Sequence, residues 1–193
     1  MLNTTQQIIV QNYLSAKYDY ALTNNDLYVQ DDAANGNYDY DVAGIGRVDP
    51  GNQHTDAKGN GIVRILNATN LDDNEFFIWG HDNGQQAAIN NTDVPAGIAA
   101  RFDRVWRVSE VNNAGSGVNV GSIDMQWDLN NLGPVTASDL RLLVDTDNDG
   151  SFADETPIAG ATSIGGGIYA FTGVSAIGNN MRFTIATTNL IQT

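Results

Sequence analysis

The sequence predicts an all-β chain, an antiparallel β-sandwich with one N-terminal α-helix. Three observations carry this expectation. Ile123, Met125, Trp127 and Leu129 alternate with Asp124, Gln126 and Asp128, the period of a strand with one buried face. Apolar residues at helical spacing are concentrated near the N-terminus. Between the later apolar runs stand clusters of Asn, Gly, Asp and Pro, with no helical spacers of the kind parallel strands need.

The helix is expected over residues 5–22. Thr4 offers an N-cap and Gln7, three residues on, completes a capping box. Ile9, Val10, Tyr13, Leu14, Ala16, Tyr20 and Ala21 then form a broad apolar stripe, within which Lys17 must snorkel. Thr23-Asn24-Asn25-Asp26 ends the pattern. Strands follow at 41–48, 61–67 and 75–80, and one more runs through Phe102, Trp106 and Val108. Others lie at 123–129, 140–145, 167–174 and 181–187. Turns fall at Asn112-Asn113-Ala114-Gly115, Asn130-Asn131-Leu132-Gly133-Pro134, Gly165-Gly166-Gly167 and Gly178-Asn179-Asn180. Two sheets packed face to face would bury the apolar sides, giving a single domain over 1–193 with the helix docked on it.

Charge narrows the partners. The 193 residues carry 23 acidic and 9 basic side chains, a net charge of -14, which argues against nucleic acid and an anionic membrane surface as partners. Apolar runs are too short to insert into a bilayer. No cysteine is present, which suits the cytosol and also bacterial surface proteins that dispense with disulfides. Met1-Leu2-Asn3-Thr4-Thr5 has no signal-peptide character, so an export signal is expected to lie outside this chain. The acidic set is 20 Asp against 3 Glu, accompanied by 23 Asn and 20 Gly. That bias favours loops rich in oxygen ligands, which suit a hard cation such as calcium.

The sharpest motif is Asp145-Thr146-Asp147-Asn148-Asp149-Gly150-Ser151-Phe152-Ala153-Asp154-Glu155. Alternate Asp residues followed by Gly form the first half of an EF-hand-type loop, in which the backbone curls so that the carboxylates converge. Asp145, Asp147, Asp149 and the Ser151 carbonyl are the expected Ca2+ ligands. Thr156 stands where the usual final Glu would be, so Asp154 or Glu155 must complete the shell. Asp31, Asp32, Asp39 and Asp41 form a second acidic group without fixed spacing, read mainly as a polar loop. His54 and His81 lack zinc-ligand spacing and read as surface histidines.

Catalytic motifs are weak. Ala161-Thr162-Ser163-Ile164-Gly165 has only a superficial likeness to a nucleophile elbow, because no helix follows it. Phosphate-loop and dinucleotide fingerprints are missing from the sequence. Arg101, Arg104 and Arg107 could capture an anion, but internal pairing with the surplus Asp is the stronger reading. Tyr18, Tyr28, Tyr38, Tyr40 and Trp79 could stack on a sugar, although most read as core or rim aromatics.

Several segments resemble one bacterial family in order and spacing. Gln11-Asn12-Tyr13-Leu14-Ser15-Ala16-Lys17-Tyr18 is similar to the "ESYLAIKYG" stretch that follows laminin-G-like, concanavalin-type domains in giant surface proteins. Asp39–Arg47 resembles "NDIAGIGRD", Phe77–Gly84 "LVWGHDNG", Arg104–Val108 "RVWKV" and Leu143–Gly150 "LVDTDGDG". Asp19 stands where the family has Gly. The resemblance is to an accessory domain of large secreted proteins of the Bacteroidetes type, and it implies no catalytic residues. It implies an extracellular, cell-surface location, bound calcium and a β-domain directly before this one.

The expected function is therefore a non-catalytic, calcium-stabilised structural or adhesive module of a secreted bacterial cell-surface protein, able to self-associate into a fibre. The alternative is a calcium-dependent carbohydrate- or peptide-binding module, with a surface glycan or peptide as ligand. Neighbouring domains of the same polypeptide or like subunits are the expected partners, touching the helix at Ile8, Leu14 and Tyr18.

Overall fold

The computed structural model describes residues 1–189. Helix α1 spans Thr4–Tyr18. Thirteen strands follow among the described residues: β1 Tyr40–Asp49, β2 Asn52–His54, β3 Asp56–Ala57, β4 Val63–Leu66, β5 Glu75–His81, β6 Ala88–Asn90, β7 Ala100–Phe102, β8 Trp106–Asn112, β9 Ile123–Asp128, β10 Leu140–Asp145, β11 Thr162–Gly165, β12 Ile168–Val174 and β13 Arg182–Thr187. One sheet has the order β2-β1-β5-β8-β13-β7-β6, with β10 also paired to β13. The second runs β11-β12-β9-β4-β3. Every pairing is antiparallel, so the architecture is the expected all-β sandwich with an N-terminal helix.

Strand composition reflects how many faces are covered. β9 alternates buried and half-buried residues because only one face of the second sheet meets the core. In β5 the run Phe76-Phe77-Ile78-Trp79 is buried throughout. Phe77 and Trp79 face the second sheet, while Phe76 and Ile78 lie under α1 with Val42 and Val111. Between the sheets, Trp106 meets Trp127 edge-on (5.1 Å, 88°) and stacks on Phe183 (5.9 Å, 16°). Such close aromatic contacts contribute beyond their buried area. Gly80 is dictated by close approach, since a Cβ there would lie 2.4 Å from both Tyr28 Oη and Tyr38 O.

The helix departs from expectation at both ends. Asn3, not Thr4, is the N-cap: Asn3 Oδ1 accepts from Gln6 N (2.9 Å) and Gln6 Oε1 accepts from Asn3 N (3.1 Å). Asn is among the best N-cap residues, and Asn3 Nδ2 also donates to Gln53 O, so one side chain caps the helix and ties it to β2. The helix stops at Tyr18 rather than Leu22 because Asp19 turns left-handed (φ 52°), the conformation a Gly adopts freely and the one that closes many helices. The chain then returns along α1, where Asn12 Oδ1 accepts from both Leu27 N and Tyr28 N at 2.8 Å.

Those bonds rotate the buried face to Thr5, Ile8, Ile9, Asn12, Ser15 and Ala16. Ile8, expected to face a neighbour, is therefore in the core of this chain, against the outer face of the large sheet. Val10 is exposed instead, and Lys17 lies in solvent with its ammonium on Tyr13 Oη (2.9 Å). The strand expected through Phe102–Val108 is also broken. β7 and β8 pair with opposite ends of β13, and the residues between them turn out of the ladder.

Candidate functional site

Asp145 ends β10 and is fully buried. Its carboxylate closes the following loop by accepting from Asp149 N (3.1 Å) and Gly150 N (3.0 Å). Asp147 Oδ1 also accepts from Asp149 N, and Asp149 Oδ1 from Ser151 N. Asn148 and Gly150 sit at positive φ, which Asn and Gly tolerate, and this curls the segment inward. The outcome is one group of oxygens from Asp145, Asp147 and Asp149, all within 4.8 Å of one another. Ligands about 2.4 Å from a shared calcium ion lie no more than about 4.8 Å apart, so the three carboxylates stand within the outer limit for sharing one ion.

Of the other expected ligands, Glu155 is engaged within the loop itself. Glu155 accepts from Thr146 N and Oγ1, bracing the loop from outside the three-carboxylate group. The Ser151 hydroxyl donates to Asp93 (3.0 Å), and Asp154 is exposed.

Three residues absent from the local motif position the loop. Asp93 Oδ1 accepts from the Ser151 hydroxyl, Phe152 N (2.8 Å) and Ala153 N (3.1 Å), while its Oδ2 takes Arg101 Nη2 at 2.8 Å. Burial pushes the Asp93 carboxyl up, but the Phe152 amide, the Arg101 guanidinium and the Ser151 hydroxyl together hold it below its ordinary range. Arg182 donates to Asp145 Oδ2 and to Asn148 Oδ1, both at 2.8 Å. Arg107 reaches Asn148 Oδ1 and Asn35 O, linking the loop to residues 29–39. Beneath them Phe152 packs with Leu143, Ala186, Tyr38 and Val105. The only sequence signal for these partners is the scarcity of cations, since each Arg in so acidic a chain must meet some Asp.

All three residues of the Arg101–Arg107 group are held internally. Arg104 donates to Gly84 O, and Arg101 also lies over the Phe152 ring (4.9 Å). Ser163, in the elbow-like segment, lies on the exposed edge strand β11.

His81 is not a surface histidine: it is 2% exposed and pairs with Asp41 Oδ2 at 3.0 Å. Its Nδ1 accepts from Asn83 N, which leaves Nε2–H as the donor to Asp41. Of the candidate stacking aromatics, Tyr28, Tyr38 and Trp79 are buried, and Tyr18 and Tyr40 are exposed.

Of the second acidic group, Asp31, Asp32 and Asp39 line a cavity of about 420 Å³ together with Asp19 and Asp26, whereas Asp41 lies apart on His81. Burial raises the Asp31 carboxyl to about 6, with its acidic neighbours adding to the effect, and pushes Asp26 and Asp39 up as well.

A family model described as a domain of unknown function, DUF8202, matches residues 6–180. No curated protein and no solved structure matches the chain.

Proposed function

The chain belongs to the family of the domain of unknown function DUF8202, and we propose that it serves as a non-catalytic, calcium-stabilised structural and adhesive module of a secreted bacterial cell-surface protein. The observation that carries this reading is the convergence of Asp145, Asp147 and Asp149 on one curled loop. Asp145, Asp147 and Asp149 would hold the ion, with the Ser151 carbonyl and Asp154 as candidates to complete its shell. Hard oxygen donors of this kind select calcium over softer metals. Arg182 on Asp145 removes negative charge from the donor set. That places the expected affinity in the weak, extracellular class, with Kd about 10⁻⁴–10⁻³ M.

The surface location is supported by the sequence resemblance to modules that follow laminin-G-like domains, and by the loop-rich Asp/Asn/Gly composition. With Ile8 buried, half-buried Leu14 and exposed Tyr18 remain as the helix residues available to a neighbouring domain or a like subunit. No helix among the described residues is long and apolar enough to cross a membrane.

Thermal unfolding in about 10 mM calcium against chelator tests the reading. At about 10–100 times Kd, binding to the folded state adds about 1.4–2.7 kcal/mol. That corresponds to a rise of about 3–11 °C for a chain of this size. The double variant Asp147→Asn/Asp149→Asn should abolish the rise. Identical melts with and without calcium, and no metal by elemental analysis, would remove calcium from the proposal.

A further inference from the structure

A groove of about 320 Å³ lies between the C-terminal half of α1 and the start of β1, with Tyr13, Lys17, Asp39, Tyr40, Asp41 and Asn60 among its lining residues. None of its lining residues belongs to the Asp145–Glu155 loop. Tyr40 is 48% exposed, and its ring lies nearly parallel to the buried imidazole of its cross-strand partner His81 (5.9 Å, 16°). His81 is wedged edge-on against Trp106 (5.7 Å, 69°), so the platform beneath Tyr40 is rigid. The same imidazole donates to Asp41 Oδ2. One buried side chain therefore sets both an exposed aromatic face and an adjacent carboxylate.

The backbone is adapted to this arrangement. The register of β1 against β5 shifts between Tyr40 and Ala43, and Asp41 takes a left-handed φ of 49° within that irregularity. A bulge of this kind re-aims a side chain at the expense of ladder pairing, and a left-handed non-glycine residue costs backbone energy. Here the side chain so aimed is a carboxylate one-third exposed on the groove wall. Burial lowers the pKa of His81, so the imidazole is neutral near pH 7 and acts by orienting Asp41. Asp39 Oδ1 is buried with no donor among the described residues.

A flat aromatic face beside an oriented acceptor (Asp41), an unpartnered one (Asp39), an amide (Asn60) and donors (Lys17, Tyr13) matches a ring that is apolar on its faces and hydroxylated at its edge. The carboxylates and the net charge of -14 repel anionic ligands. We propose that this groove binds a neutral saccharide, with Tyr40 stacking on a sugar face and Asp41 accepting its hydroxyls. The site is independent of the calcium loop and goes beyond the structural role proposed above.

The test is an array of neutral and acidic microbial and plant glycans probed with the whole chain, followed by calorimetry with the strongest neutral glycan, in calcium and in chelator. Neutral glycans should bind in both buffers and acidic ones should not. Tyr40→Ala should weaken binding by about tenfold or more, while Tyr40→Phe retains it. Tyr40→Phe should melt with the parent protein, and Tyr40→Ala, which loses the stack on His81 from a half-exposed position, within about 6 °C of it. Asp41→Asn should weaken binding in the same direction. Absence of binding to any neutral glycan at millimolar concentration, or binding indifferent to Tyr40→Ala, would overturn the proposal. Binding confined to acidic glycans, or binding lost in chelator, would overturn it too. Identical melts in calcium and chelator alongside intact glycan binding would remove the calcium reading and leave this one standing.

Discussion

Asp93→Ala tests whether a single distant carboxylate holds the Asp145–Glu155 loop in place. The substitution removes the acceptor shared by Phe152 N, Ala153 N and the Ser151 hydroxyl, and strips Arg101 of its carboxylate. Phe152 is buried, so its amide cannot readily turn to water, and an orphaned amide costs about 1–3 kcal/mol. Breaking a buried ion pair costs about 3–5 kcal/mol. That figure must be reduced, because the Asp93 side chain is 25% exposed and Arg101 keeps the carbonyls of Asp93 and Phe102. A total loss of about 3–4 kcal/mol follows, or about 6–16 °C in melting temperature. Asp93→Asn keeps a neutral acceptor for the amides and should cost roughly half as much. Urea unfolding with an unchanged m-value would report the loss. The Asp93 pKa is depressed in the folded state, so its contribution is present above the unfolded value of about 3.9 and disappears as pH falls through the folded value. The wild-type and Asp93→Ala stabilities should therefore converge only in acid. A loss below about 1 kcal/mol at pH 7, or a gap that persists undiminished in strong acid, would refute the clamp.

Asp31 carries the opposite sign. Its folded pKa of about 6 lies above the unfolded value of about 3.9, so stability should rise as pH falls from above 6 towards 4. Asp31→Asn should accordingly raise the melting temperature at pH 7 and leave it nearly unchanged near pH 4; equal effects at both pH values would argue against a raised Asp31 pKa. Ile8→Ser should destabilise the chain by about 3–4 kcal/mol, since it opens a cavity under α1 and buries a hydroxyl. Tyr18→Ser, on an exposed ring, should fall within about 0.5 kcal/mol of wild type in the isolated chain. If the two variants melt alike, the helix face has been assigned wrongly.

The sequence by itself determined what depends on near neighbours along the chain. Period-two alternation at Ile123–Asp128 needs only one covered face, and the structure has that strand. The capped apolar segment near the N-terminus is a helix, and Asp145, Asp147 and Asp149 converge because the spacing and Gly150 act within a single loop. Leu140–Asp145 begins and ends where the pattern places it.

Only the tertiary structure decided which partners those local pieces meet. Asp93 lies 58–60 residues from the amides and hydroxyl it holds, Arg182 lies 37 from Asp145, and nothing in either neighbourhood announces the pairing. His81 reads as a surface residue until β1 places Asp41 against it across 40 positions. The helix face was misplaced because Ile8 and Val10 are equally apolar, and the tie-break comes from Asn12, which draws Leu27 and Tyr28 to one side. β7 and β8 separate for a similar reason, because β13 pairs with both and the break between them follows from that geometry. Periodicity and turn chemistry are local properties and survive in one dimension. The burial of a charge, the aim of a carboxylate and the choice between two apolar faces depend on contacts that exist only once distant segments are packed together.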